Sequence, residues 1–152
     1  MIAIGSDHAA LDMKNIIIEH LKEKGIECAD LGPTETELSS GCDYPIVGYR
    51  VATAVAGGLY DKGILICGTG IGMSITANKV KGIRCAACSE PFSAMMSRIH
   101  NNCNMLALGA RVIGDEMAKM IVSAFLDSDF ESGGRHERRV GLIDQVDNGQ
   151  NI

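Results

Sequence analysis

The chain has 152 residues and a net charge of −5, with 46% hydrophobic and 22% charged residues. That length predicts one domain, residues 1–152, able to bury a core without disulfides or metal. The acidic balance, with no Trp and only three each of Tyr and Phe, lacks both the positive footprint and the stacking platform of a nucleic-acid or membrane-surface protein. No stretch approaches the ~20 apolar residues of a membrane helix. Met1-Ile2-Ala3-Ile4-Gly5 reads as a strand without a basic n-region or cleavage site, so the expected location is the cytoplasm, with six free thiols. An anionic small substrate remains compatible with this composition, because a local basic cluster can hold it.

Short apolar runs alternate with longer segments of helical period. Ile2 to Ile4 reads as a strand, and Leu11 to Lys24 as a helix that Gly25 ends. Ile26 to Leu31 is a second strand, and Gly32 to Asp43 a polar loop. Pro45 suits the first turn of a helix running to about Ala56. Lys62 to Cys67 is a strand apolar enough to be covered on both faces. Gly68 to Gly72 turns tightly into a helix ending near Val80. Ile83 to Ser89, Pro91 to Ile99, Asn104 to Gly109 and Asp115 to Leu126 continue the alternation of strand and helix. Gly133-Gly134 open a polar tail with a last helix from His136. There is no internal repeat. The alternation predicts an α/β fold: a doubly wound, parallel, five-stranded sheet with helices on both faces. Ligands of such sheets sit beyond the carboxyl ends of the strands, where strand order reverses.

The segment Cys67-Gly68-Thr69-Gly70-Ile71-Gly72-Met73-Ser74 follows the third strand. Glycines at alternate positions let backbone amides converge at a helix N-terminus, which suits an anion. A tight packing turn is the plainer alternative. A Walker A loop would need a lysine before Ser74, and a cysteine phosphatase loop an arginine; both are missing. A dinucleotide fingerprint would use Glu90, but the spacing here is G-x-G-x-G. Cys67 lies at the strand end before this turn, where a thiolate is favoured and can serve as nucleophile or base. Cys85-Ala86-Ala87-Cys88 is expected inside a strand, its two thiols on opposite faces, and no second pair completes a zinc site. Asp7-His8 follows the first strand, and His100-Asn101 the helix after the fourth, with the histidines suited to proton transfer. Arg135 to Arg139 concentrates positive charge able to bind phosphate.

Ser6-Asp7-His8, Asp43-Tyr44-Pro45, Ile66 to Ile75, Ala77-Asn78-Lys79, Gly82-Ile83-Arg84, His100-Asn101 and Gly133-Gly134-Arg135-His136 together resemble the ribose-5-phosphate isomerase B family, whose relatives act on allose 6-phosphate and galactose 6-phosphate. The resemblance covers nearly the whole chain. It implies a phosphorylated sugar substrate, no metal and no organic cofactor. It also implies a homodimer or a pair of dimers with active sites shared between subunits. Members use a cysteine or a glutamate as base, and Cys67 matches the cysteine branch. Thr69 matches the residue that helps move protons between substrate oxygens. His100 matches the residue that opens the sugar ring, with Asp7 nearby. His8, Arg135 and Arg139 match phosphate-binding positions, which makes residues 133–152 a phosphate-binding segment and tail. Tyr44, Asn101 and Arg111 are further expected substrate contacts.

These readings converge on an isomerase interconverting ribose 5-phosphate and ribulose 5-phosphate. Cys67 moves the proton, and the amides of Gly68, Gly70, Ile71 and Gly72 hold an enediolate. A hexose 6-phosphate isomerase, a sugar-phosphate-binding module without catalysis and a dinucleotide-dependent oxidoreductase are the alternatives.

Overall fold

The computed structural model describes residues 1–152. Five strands, β1 (Ile2–Ser6), β2 (Cys28–Asp30), β3 (Lys62–Cys67), β4 (Cys85–Ala87) and β5 (Met105–Gly109), form one sheet in the order β2-β1-β3-β5-β4. Every pairing is parallel. The chain runs outward from β1 to β2, then returns to place β3 on the other side of β1. The switch point therefore lies between β1 and β3. The doubly wound sheet expected from the alternating pattern is the one observed.

Seven α-helices complete the fold: α1 (Leu11–Glu23), α2 (Glu35–Ser40), α3 (Tyr44–Ala56), α4 (Ile71–Ala77), α5 (Pro91–Asn101), α6 (Asp115–Leu126) and α7 (Arg135–Asp147). Ile4, Ile64, Ile66, Leu106 and Leu108 meet Ile17 and Leu21 of α1 and Ile121 and Phe125 of α6 in one core layer. Ala3, Leu65, Cys67 and Ala107 meet Val47 and Val51 of α3 and Met73 of α4 in the other. Alternate strand residues thus feed opposite layers, which is why the central strands are apolar throughout. Each large side chain fully buried here contributes roughly 1.5–3 kcal/mol. Cys85 packs in the second layer and Cys88 in the first, as their spacing predicts.

Two departures from the sequence reading have local causes. The stretch expected as a polar loop contains α2, nucleated by a capping box: the Thr34 hydroxyl accepts from the Glu37 amide, and the Glu37 carboxylate from the Thr34 amide. The Thr-x-x-Glu signature was present in the sequence, but no apolar run follows it. Both edge strands are also shorter than expected. Outside β4, Asn78 replaces a neighbouring strand: its amide donates to the Cys85 carbonyl at 2.9 Å and its carbonyl accepts from the Cys85 amide at 2.8 Å. Beyond Ala87 the chain turns to Glu90, whose carboxylate caps α5 through the amides of Phe92 and Ser93.

Candidate active site

At the switch point a cavity of about 590 Å³ opens between the carboxyl ends of β1 and β3. Asp7, His8, Tyr44, Cys67, Gly68, Thr69, Ile71, Gly72 and Arg111, all singled out in the sequence, line it, together with Ala9 and Ile75. Ile75 was given no role in the sequence reading, although it lies one helical turn beyond Ile71.

Backbone bonds hold these side chains in place. The Asp7 amide donates to the Ile66 carbonyl at 3.1 Å, and the nearly buried Asp7 carboxylate accepts from the Ala9 amide at 3.0 Å. On the other side, Ala110 donates to the Cys67 carbonyl at 2.8 Å, and the Arg111 amide to the Gly68 carbonyl at 3.0 Å. Arg111 is therefore tied to the turn it overhangs.

Cys67 is 4% exposed, and its sulfur accepts a hydrogen bond from the Gly70 amide at 3.1 Å. The Ile71 amide reaches Thr69 Oγ1 at 3.4 Å. The amides of Gly70 and Ile71, expected to hold the enediolate, are thus taken within the turn, and Gly70 does not line the cavity, whereas the amides of Gly68, Thr69 and Gly72 donate to no group of the chain. Unpaired donors converging beside a thiol form a ready cradle for negative charge.

Two glycines are required by this geometry. Gly70 has φ +78°, and a Cβ there would lie 3.0 Å from the Leu108 backbone. At Gly72 a Cβ would fall 2.6 Å from the Tyr44 ring, so the missing side chain seats the tyrosine that walls the cavity.

The other cysteines are chemically quiet. Burial pushes the Cys28 and Cys88 thiols up to about 11, and it raises those of Cys42, Cys85 and Cys103 as well. Glu90, which a dinucleotide site would need, is occupied as the α5 cap.

The remaining sequence candidates lie elsewhere. His100 and Asn101 are the last two residues of α5. They are helical rather than in a loop, and they are not beside Asp7. A helix following a parallel strand runs back against it, so the end of α5 sits toward the opposite edge of the sheet from Cys67. His100 stacks on His136, ring centroids 4.0 Å apart and planes 5° from parallel. His136 Nε2 accepts from Arg135 Nε at 3.3 Å and lies 3.7 Å from Glu131 Oε2. Arg135 and Arg139 are exposed at the start of α7. Asn101 lines a second cavity, about 600 Å³, between β4 and α7. Arg84 closes that region with an ion pair to Asp144 at 3.0 Å. Within one chain, His100, Asn101, Arg135 and Arg139 therefore do not line the Cys67 cavity.

Comparison with known proteins places this arrangement. The family model described as Ribose/Galactose Isomerase matches residues 2–143. Ribose-5-phosphate isomerase B of Escherichia coli (strain K12) is 51% identical over 150 residues, covering 99% of this chain and 98% of its own. D-erythrulose-4-phosphate isomerase of Pectobacterium atrosepticum is 50% identical over 133 residues, 88% of this chain and 86% of its own. The solved Clostridium thermocellum ribose-5-phosphate isomerase B superposes with a TM-score of 0.91 at 48% identity, covering 97% of both chains. By sequence along nearly its whole length and by fold, this chain belongs to the ribose/galactose isomerase family.

Proposed function

We propose that this protein is an aldose–ketose isomerase that interconverts ribose 5-phosphate and ribulose 5-phosphate, with Cys67 as the base. The observation that carries this reading is the Cys67 sulfur, hydrogen-bonded to the Gly70 amide in a cavity also lined by Gly68, Thr69 and Arg111. In the open-chain sugar, the Cys67 thiolate takes the C2 proton. Charge builds on the two enediolate oxygens, where the unpaired amides of Gly68, Thr69 and Gly72 stand. Losing one such donor costs about 3–4 kcal/mol of barrier. Thr69, exposed above the turn, passes a proton between O1 and O2, and Cys67 returns the carbon proton at C1.

Ring opening and phosphate binding need a second copy of the chain. His100, Asn101, Arg135 and Arg139 lie outside the cavity of their own chain, while its mouth is rimmed by exposed Tyr44, Ile71 and Ile75. A two-fold dimer covering this apolar rim would bring the α5 end and α7 start of one copy to the cavity of the other. His8 at the mouth and the two arginines then clamp the phosphate, and His100 opens the furanose.

The decisive assay measures ribose 5-phosphate conversion by the wild type and Cys67→Ala, with chelator present. Wild-type turnover that chelator leaves unchanged, reduced about 10²–10⁴-fold in the variant, supports a cysteine base. Near-normal turnover in the variant refutes it. Specificity constants for four- and six-carbon sugar phosphates belong in the same experiment, because relatives of similar identity bear names with other substrates. A hexose or tetrose phosphate preferred over ribose 5-phosphate would reassign the substrate. Binding without turnover of any of them would leave a non-catalytic module.

A further inference from the structure

His100, His136 and Glu131 each offer one donor atom, and the three atoms lie within 4.8 Å of one another. They come from α5, from α7 and from the loop before α7. Backbone bonds tie these segments together. The Glu131 amide donates to the Ile99 carbonyl at 3.0 Å, one residue from His100. The Gly133 amide donates to the Glu137 carboxylate at 2.7 Å, folding the loop onto α7.

From this juxtaposition we propose that His100, His136 and Glu131 form a binding site for a divalent transition-metal ion, Zn²⁺ in particular, and that the bound ion inhibits the enzyme by capturing His100. Two imidazoles and a carboxylate are a common three-ligand set for zinc, with the fourth position open. Imidazole donors disfavour Mg²⁺ and Ca²⁺, which take oxygen ligands. His136 is 7% exposed. Its Nε2 accepts a hydrogen bond from Arg135 Nε, which places a lone pair on that atom.

Two rearrangements accompany binding. Arg135 must leave His136 Nε2, which it holds by a long 3.3 Å bond; as an exposed side chain it is free to turn to solvent or to a phosphate. The stacked rings must also splay so that their lone pairs converge, and half-buried His100 has the room to do so. The site would be inhibitory rather than catalytic, because a metal-bound imidazole cannot shuttle the ring-opening proton.

The inhibition rests on the isomerase reading above; the binding does not. Zn²⁺ is titrated calorimetrically into Cys67→Ala protein, which removes the cavity-lining thiol as a competing ligand. Co²⁺ absorption reports the coordination geometry. One ion per chain is expected, weakened roughly tenfold or more by Glu131→Gln or His136→Gln in the same background. In the Cys67 enzyme, Zn²⁺ should inhibit over the concentration range that fills the site, and chelator should reverse it. Glu131→Gln should keep the metal-free activity and resist Zn²⁺. Absence of binding, or binding indifferent to Glu131→Gln, overturns the site. Binding without inhibition overturns its effect on His100. An enzyme inactive before any zinc is added would remove the isomerase reading, while the Cys67→Ala titration would still decide the metal site.

Discussion

The Cys67 cavity and the His100–His136 cluster are built in contrasting ways. The cavity is mostly backbone: strand ends, a glycine turn and amides without partners, with Cys67 and Asp7 nearly buried. The cluster is side chain on side chain, carried by two helices and a loop, with Glu131, Arg135 and Arg139 in solvent. A backbone site is fixed when the sheet forms and needs no partner for its shape. A site of half-buried and buried histidines beside an exposed carboxylate and exposed arginines acquires its chemistry from what is brought against it. The proposed enzyme combines the two, with preorganised charge stabilisation at one and adjustable cationic groups at the other.

Splitting the two regions between chains tests this division most severely. Cys67→Ala and His100→Asn should each lose about 10²–10⁴-fold in turnover when alone. If the proposed two-fold dimer forms, equal co-expression makes half of the pairs mixed, and each of these carries one intact site of two. Activity should then return to about a quarter of wild type. Assay of the co-purified mixture checks this; no recovery would mean that the residues do not act across an interface.

Glycine substitutions probe the backbone half. Gly70→Ala meets both a positive φ and the Leu108 backbone, so thermal or urea unfolding should show a loss of about 1–3 kcal/mol. Gly72→Ala meets only the exposed Tyr44 ring. The ring can turn away, so the expected effect is a raised KM with a smaller loss of stability. Equal destabilisation by the two would contradict the claim that Gly72 serves the wall rather than the turn.

The smallest effect lies outside both regions and serves as their control. The hydrogen bond from Arg50, then that from Thr34, holds the Glu37 carboxyl down to about 2, from an ordinary 4.5. Its contribution to the α2 cap is complete above pH 4.5, declines as pH falls below that, and is gone once pH passes through about 2. Protection of the Glu37 amide from hydrogen exchange, relative to its intrinsic rate, should fall progressively across that window; this amide donates to Thr34 Oγ1 at 3.2 Å. In Glu37→Gln the protection should be lower and independent of pH there.

Much of this organisation could be read from the chain alone. Apolar runs bounded by glycine, with helical periods between them, predicted the sheet and its winding, because burial on both faces forces such runs. The cavity lining was legible for a related reason: in a parallel sheet, residues after consecutive strands emerge at one edge. Asp7, Cys67 and Arg111 share that edge whatever their distance in sequence. His100 broke the rule, because it ends a helix rather than follows a strand. The α2 helix was missed because a capping box without an apolar stripe gives a weak periodic signal. Glu131 carried no pattern, and the motif that held His136 did not pair it with His100, since their proximity arises from the packing of α7 on α5.

By itself, then, the sequence determined the α/β class, the strand ends, the glycine turn and the thiol before it, all consequences of local conformational preference and burial period. Tertiary structure alone decided the order β2-β1-β3-β5-β4, which puts the switch point beside Cys67. It also decided the Gly70 amide on the sulfur and the gathering of His100, Glu131 and His136. These depend on which distant segments pack together, a choice made by the summed burial of whole helices and strands rather than by any residue's neighbours along the chain.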